Sequence, residues 1–382
     1  MNILFVRMSY IGDILHATPA ARWIKEHYPE AKSHWIVTPT MAEILRHNPY
    51  VDEIIEWERD AYEAHSKKIH IPTMWRMWWE LREKIKPYKF DVAVDVQGRL
   101  ITGLVLLASG APIRLGLGGT KELNWLFTNF KSEANQDHVI KRYLQVAQLL
   151  PKALEKHGFS AVSLGVSQSD GIDFQMVLNL SESEIAWAQA EVDTYFNKLV
   201  HDSKIPSLEG TTPTTQTQSR RARIAIVPGA SWASKEWPIY HWTSLVRALS
   251  PEMDIVYVGG PKEAREFSPQ LPQGEHVYDM MGKTTIRESA ALIKACDIVV
   301  SGDTGSLYMA TAEMVPSVSL FGPTKPQQWG PITGSYHVLQ QSDMDCLGCR
   351  KRKCPKGHHN CMNELTPERV AQVIRELVTR TI

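Results

Sequence analysis

The run Arg223-Ile224-Ala225-Ile226-Val227-Pro228-Gly229 decides the fold. A short apolar run that stops at a turn-forming pair reads as a parallel strand buried on both faces. The design recurs downstream. Asp254-Ile255-Val256-Tyr257-Val258 stops at Gly259-Gly260-Pro261, Asp297-Ile298-Val299-Val300-Ser301 at Gly302-Asp303, and Ser317-Val318-Ser319-Leu320-Phe321 at Gly322-Pro323. Open α/β sheets bind their ligands beyond the carboxyl ends of the strands, where these small residues fall.

An earlier series has the same character. Ile3-Leu4-Phe5-Val6 reads as a strand, Arg7 to Asp13 as a loop, and Ala17, Ala20, Ala21 and Ile24 as one face of a helix. His34–Val37, Glu53–Ile55 and Asp91–Asp95 are further strand candidates with helical patterns between them. Alternating strands and helices predict an α/β protein with parallel sheets. Two series predict two doubly wound domains facing each other across a cleft: residues 1–168, and residues 169–365 followed by a helix over 366–382. Thr366 is its expected N-cap and Pro367 its first residue, with Val370, Val373, Ile374, Leu377 and Val378 as a docking stripe. The polar stretch Gly210 to Ser219 reads as a mobile surface loop.

Composition narrows the function. The 382 residues carry 42 Lys+Arg against 42 Asp+Glu, which argues against holding nucleic acid by bulk electrostatics. Leu100 to Ile113 is the most apolar stretch, and it is short of the roughly 20 residues a membrane span needs. With no secretory signal pattern at Met1–Arg7, the expected location is cytoplasmic, with any membrane met from its surface.

Several residues carry chemistry. Asp13, at the start of the first helix, is either a helix cap or a general base facing the cleft, and His16 reads as a packing residue. Gly12 stands alone there, so the loop lacks the Gly-x-Gly-x-x-Gly turn of a dinucleotide site. In the second domain, Ser231 and Lys235 follow Pro228-Gly229 and suit a diphosphate. Gly302-Asp303-Thr304-Gly305-Ser306 forms a second such loop, with Asp303 able to accept hydrogen bonds from sugar hydroxyls. The helix from Met74 to Ile85 has a core stripe of Met74, Met77, Trp78, Leu81 and Ile85, and beside it Trp75, Trp79 and Arg82. This second stripe is either further core or an exposed platform for a sugar, lipid or membrane interface. Cys346, Cys349, Cys354 and Cys361, with His358 and His359 among them, suggest structural zinc, reduced structural thiols or a redox-dependent bridge. Cys296 reads as core, and Arg350-Lys351-Arg352-Lys353 as an anion-attracting or merely solvated run.

Taken together, Gly12-Asp13-Ile14-Leu15, Asp95-Val96-Gln97-Gly98, Pro228-Gly229-Ala230-Ser231, Lys235, Gly282-Lys283-Thr284-Thr285, Asp303-Thr304-Gly305, Leu320-Phe321-Gly322-Pro323-Thr324 and Cys361-Met362 resemble glycosyltransferase family 9, the ADP-heptose:lipopolysaccharide heptosyltransferases. They occur in family order over nearly the whole chain. The resemblance implies a GT-B architecture, with the acceptor on the N-terminal and the sugar nucleotide on the C-terminal Rossmann-like domain. It implies an inverting, metal-independent reaction with Asp13 as general base. Lys235 and Ser231 would contact the donor phosphates; Asp303, Thr304 and Gly305 would form the second phosphate and sugar loop. Thr284 would meet the base, Glu263 the ribose hydroxyls, and Gln97 and Arg99 the acceptor. Where many relatives carry His, this chain has Tyr308, which donates a hydrogen bond but brings no positive charge. The implied partners are ADP-heptose and a lipid-anchored core oligosaccharide on the inner leaflet, reached through Trp75, Trp79, Lys67, Lys68 and Arg76. Two other readings stay open: a transferase or epimerase using a UDP- or GDP-sugar, and a binding protein without turnover whose cysteine segment is a zinc-dependent module.

Overall fold

Strands rich in Ile, Val and Phe, alternating with amphipathic helices, assemble into two sheets. The computed structural model describes residues 1–68, 70–120, 122–158, 172–202 and 220–381. The first sheet contains β1 (Asn2–Val6), β2 (Lys32–Val37), β3 (Glu53–Glu56), β4 (Val92–Asp95), β5 (Ile113–Gly116) and β6 (Phe130–Lys131). Its order is β3-β2-β1-β4-β5-β6, and every pairing is parallel. The second contains β7 (Arg223–Val227), β8 (Asp254–Tyr257), β9 (Val277–Asp279), β10 (Ile298–Gly302), β11 (Ser317–Phe321) and β12 (Tyr336–Gln340). It is likewise parallel, in the order β12-β11-β10-β7-β8-β9. Counted from its own first strand, each sheet therefore runs 3-2-1-4-5-6, the doubly wound order whose strand sequence reverses beside strand 1.

The chain forms two compact units, Met1–Asn179 and Leu180–Ile382. The first extends past the expected boundary at residue 168, a position outside the described residues. Its last segment is held by backbone: Arg22 donates to the carbonyls of Asp173 and Gln175 at 2.8 and 3.0 Å, and the Val177 amide donates to Thr18 Oγ1 at 2.9 Å. Met176 and Leu178 are buried. The second unit opens on helix Glu182–Asp202, where Ser181 and Glu184 cap each other reciprocally. Arg287 from helix Ile286–Lys294 grips the Glu184 carboxylate at 2.5 and 2.6 Å and lowers its pKa from 4.5 to about 2. The threonine-rich stretch 210–219 lies outside the described residues.

The C-terminal helix Pro367–Thr381 belongs to the core of the second unit, with Val370, Ile374 and Leu377 buried beside Trp242, Leu245 and Leu249. Thr366 accepts from the Arg369 amide, as an N-cap does. Cys361 and Met362 press on the end of β11, where a Cβ on Gly322 would come within 2.6 Å of Met362 Sδ. Only glycine lets those chains approach so closely.

The first helix departs from the expected layout. It spans Ile11–His27, so the loop after β1 is only Arg7–Tyr10. Its N-cap position is Tyr10, which makes no side-chain cap, and Asp13 lies within the first turn.

Candidate active site

In each sheet several of the residues singled out by sequence lie where the strand order reverses, among them Asp13 and Gln97 in the first unit and Lys235 and Asp303 in the second. In the first unit the reversal falls at the ends of β1 and β4. The Arg7–Tyr10 loop is fixed from several sides: Trp35 Nε1 donates to Arg7 O at 3.0 Å, the Met8 amide donates to Gln97 Oε1 at 3.0 Å, and Arg59 donates to Ser9 Oγ. Asp13 pairs with Arg7 and does not cap the helix. Its carboxylate keeps 22% of its surface exposed. Arg7 is buried, and its guanidinium lies 5.8 Å from the centroid of the Tyr143 ring. Burial opposes the Arg7 charge, but Asp13 and Tyr143 outweigh it and raise the pKa. Burial also pushes the Tyr143 hydroxyl up to about 12, which keeps it protonated.

After β4, buried Asp95 organises the turn that carries Gln97. It accepts from the Gln97 and Gly98 amides at 2.8 and 3.1 Å, from Thr102 Oγ1 at 2.6 Å and from Asn124 Nδ2 at 2.7 Å. Arg99 turns outward to Glu122 at 3.3 Å and Glu63 at 3.4 Å. His16 is buried, edge-on to His138.

In the second unit the site lies at the ends of β7 and β10. Lys235 Nζ stands 2.7 Å from Asp303 Oδ2 and donates to the Asp303 carbonyl at 3.3 Å. Tyr308 donates to the other carboxylate oxygen, so buried Asp303 is held on both sides. The Lys235 ammonium also lies 4.7 Å from the centroid of the Trp232 ring. Thr304 shares a hydrogen bond with Ser301 at 2.9 Å, and Gly305 begins helix Gly305–Ala312. Ser231 is exposed. Glu263 caps its own helix by accepting from the Gly260 amide at 3.0 Å, and its side chain lies so close to Gly229 that a Cβ there would meet it at 2.3 Å. Thr284 hydrogen-bonds Ser289 at 2.7 Å in the loop after β9. Arg7 and Trp232 went unread in the sequence, because a lone Arg after a strand and a Trp inside a loop look like ordinary surface and packing residues.

The cysteine segment holds free thiols. Among the described residues no three His, Cys, Asp or Glu side chains form a group able to hold a metal ion. Burial, with the other three thiols nearby, pushes Cys361 up to about 11. The amide of His359, with those of Lys356, Gly357 and His358, holds Cys354 below the usual thiol range. Cys296 is core, and burial raises its thiol to about 12.

The tryptophan helix begins at Ile71, with Pro72 in its first turn. Trp78, Leu81 and Ile85 are buried, and Met74 and Met77 pack on them. Trp75 and Trp79 are not core: they are 63% and 48% exposed, with Arg82 over the Trp79 ring. Among the described residues no helix is long and apolar enough to cross a membrane.

Two doubly wound parallel sheets, each with polar side chains collected at its switch point, define the fold class of the GT-B glycosyltransferases. The chain belongs to glycosyltransferase family 9 (heptosyltransferase), whose family model matches residues 78–360, and it is a glycosyl-transferring enzyme. It is 24% identical to lipooligosaccharide heptosyltransferase 2 of Haemophilus influenzae over 394 aligned positions, covering all of both chains. It is 30% identical to the Campylobacter jejuni protein of that name over 162 residues, 41% of this chain and 51% of the relative. Escherichia coli ADP-heptose lps heptosyltransferase II superposes with a TM-score of 0.70 at 21% identity, covering 100% of this chain and 99% of that one. Escherichia coli heptosyltransferase WaaC with ADP-2-deoxy-2-fluoro heptose superposes with a TM-score of 0.67 at 22% identity, covering 98% and 99%. Family membership sets aside the epimerase and the binding protein without turnover.

Proposed function

We propose that this enzyme moves a heptose from ADP-heptose to a lipopolysaccharide inner-core acceptor, with inversion and without a catalytic metal. The observation that carries the reading is the Lys235–Asp303 pair at the switch point of the second sheet, where a sugar nucleotide's diphosphate would lie. A relative of the same fold holding an ADP-heptose analogue supports the choice of donor.

The reaction follows from charge. Asp13, oriented by Arg7, takes the proton of the acceptor hydroxyl as that oxygen bonds to the anomeric carbon. The bond between that carbon and the diphosphate oxygen breaks on the opposite face, and its electron pair leaves with ADP. Lys235 stabilises that charge, while Ser231, Thr304 and the Gly305 amide hold phosphate oxygens. Glu263 and Thr284 serve the nucleoside, Asp303 the sugar through whatever acceptor capacity Lys235 and Tyr308 leave it, and Gln97 and Arg99 the acceptor. The acceptor's lipid anchor is met through the exposed Trp75 and Trp79, helped by Lys68 and Arg76, which are exposed as well; the Lys67 side chain lies outside the described residues.

Thermal denaturation with ADP, UDP and GDP tests the donor class. ADP should raise the melting temperature most; a larger rise with UDP or GDP would transfer the reading to another sugar nucleotide.

A further inference from the structure

The basic run Arg350–Lys353 has no part in the mechanism above, yet it is laid directly on the loop that carries Lys235. Ser234, the neighbour of Lys235, donates its hydroxyl to Lys351 O at 2.6 Å and its amide to Arg352 O at 3.4 Å. His359 Nε2 meets Ser234 O at 2.7 Å. On its other side the run is tied to the end of β11, where the Arg350 amide donates to Pro323 O at 2.8 Å and the Gly348 amide to Gly322 O at 3.1 Å. The cysteine segment is thus pinned between two strand-end loops.

This brace brings a second cation to Trp232. The Arg352 guanidinium lies 5.8 Å from the centroid of the indole ring, which also carries the Lys235 ammonium at 4.7 Å. The two differ in their partners. Lys235 is paired with Asp303, whereas Arg352 is exposed and has no carboxylate partner among the described residues. Arg352 therefore brings to the Lys235 loop a positive charge that no carboxylate among the described residues neutralises, and such a charge favours a bound anion.

We infer that Arg352 is a second cation of the donor site, binding the terminal phosphate of a nucleoside diphosphate. The planar guanidinium presents paired donors to phosphate oxygens, which the Lys235 ammonium cannot do. The inference rests on the reading of the Lys235 loop as a diphosphate site and adds a residue to it. As the sugar leaves, the terminal phosphate gains charge next to Arg352, so the contact strengthens as the bond breaks.

Isothermal titration calorimetry on the full chain tests this with ADP and AMP. Arg352→Ala should weaken ADP on the order of ten- to a hundredfold, the range of a hydrogen bond to a charged group. AMP, which lacks the terminal phosphate, should change less than about twofold, and Arg352→Lys should recover part of the loss. Lys353→Ala serves as the charge control and should bind ADP as the wild type does. Because Ser234 is held by backbone carbonyls of the run, removing the Arg352 side chain leaves the brace in place. ADP binding by Arg352→Ala equal to the wild type would overturn the inference. Wild-type protein that binds ADP no more tightly than AMP would instead overturn the diphosphate reading of the loop, and the Arg352 contact with it.

Discussion

Lys235 shows how one side chain combines two duties. Its ammonium is held by the Asp303 carboxylate and carbonyl and lies over Trp232, so it is fixed in direction before any donor arrives. A fixed charge stabilises a leaving group without having to reorganise during the reaction. Lys235→Ala should lower kcat/KM for transfer on the order of a hundredfold, read as ADP release at subsaturating donor; a change within twofold would remove Lys235 from the donor site. The sequence pointed to Lys235 because few residues separate it from a strand end. It showed that Tyr308 could donate a hydrogen bond without bringing a charge, but not that Asp303 is the acceptor. Asp13 was legible as a carboxylate near a helix start, but the choice between cap and base depends on where the helix begins. With Tyr10 at the N-cap position, Asp13 turns to Arg7 instead. That pairing was invisible because it joins a strand-end residue to the first helical turn.

Among the elements, long periodic segments were legible and short edge strands were not. The central strands β1 and β7 announce themselves through the unbroken apolar runs Ile3–Val6 and Ile224–Val227. By contrast β6 has two residues and β9 three, too few to show any period. The helix Ile71–Ile85 shows the limit of a pattern argument. Its period separates two stripes correctly but says nothing of whether the second is covered, and only the packing reveals Trp75 and Trp79 as exposed. Large exposed aromatics flanked by Arg and Lys side chains suit the water–lipid boundary. Replacing both Trp75 and Trp79 with Ala should reduce sedimentation with phosphatidylglycerol vesicles severalfold while ADP affinity stays unchanged. Undiminished vesicle binding would remove this helix from the membrane contact.

For the molecule as a whole, the same strand order built twice explains why the candidate residues collect at two places. Each sheet has one position where its connections diverge, and Asp13 with Gln97 mark it in the first unit as Lys235 with Asp303 do in the second. The sequence reading reached this architecture because strands alternate with helical patterns in two series, and those of the second series end in small or turn-forming residues. It placed the division between the units too early because nothing in the composition of 172–179 shows that Arg22 and Thr18 hold that segment's backbone. The central claim is that Asp13 serves as the base of the proposed transfer. The most direct measurement is ADP release from ADP-heptose, with a heptose-deficient lipopolysaccharide acceptor and EDTA, for wild type and Asp13→Asn. The account predicts acceptor-dependent release by the wild type that falls at least about a hundredfold in Asp13→Asn, with ADP affinity retained; release by the variant at the wild-type rate would contradict it.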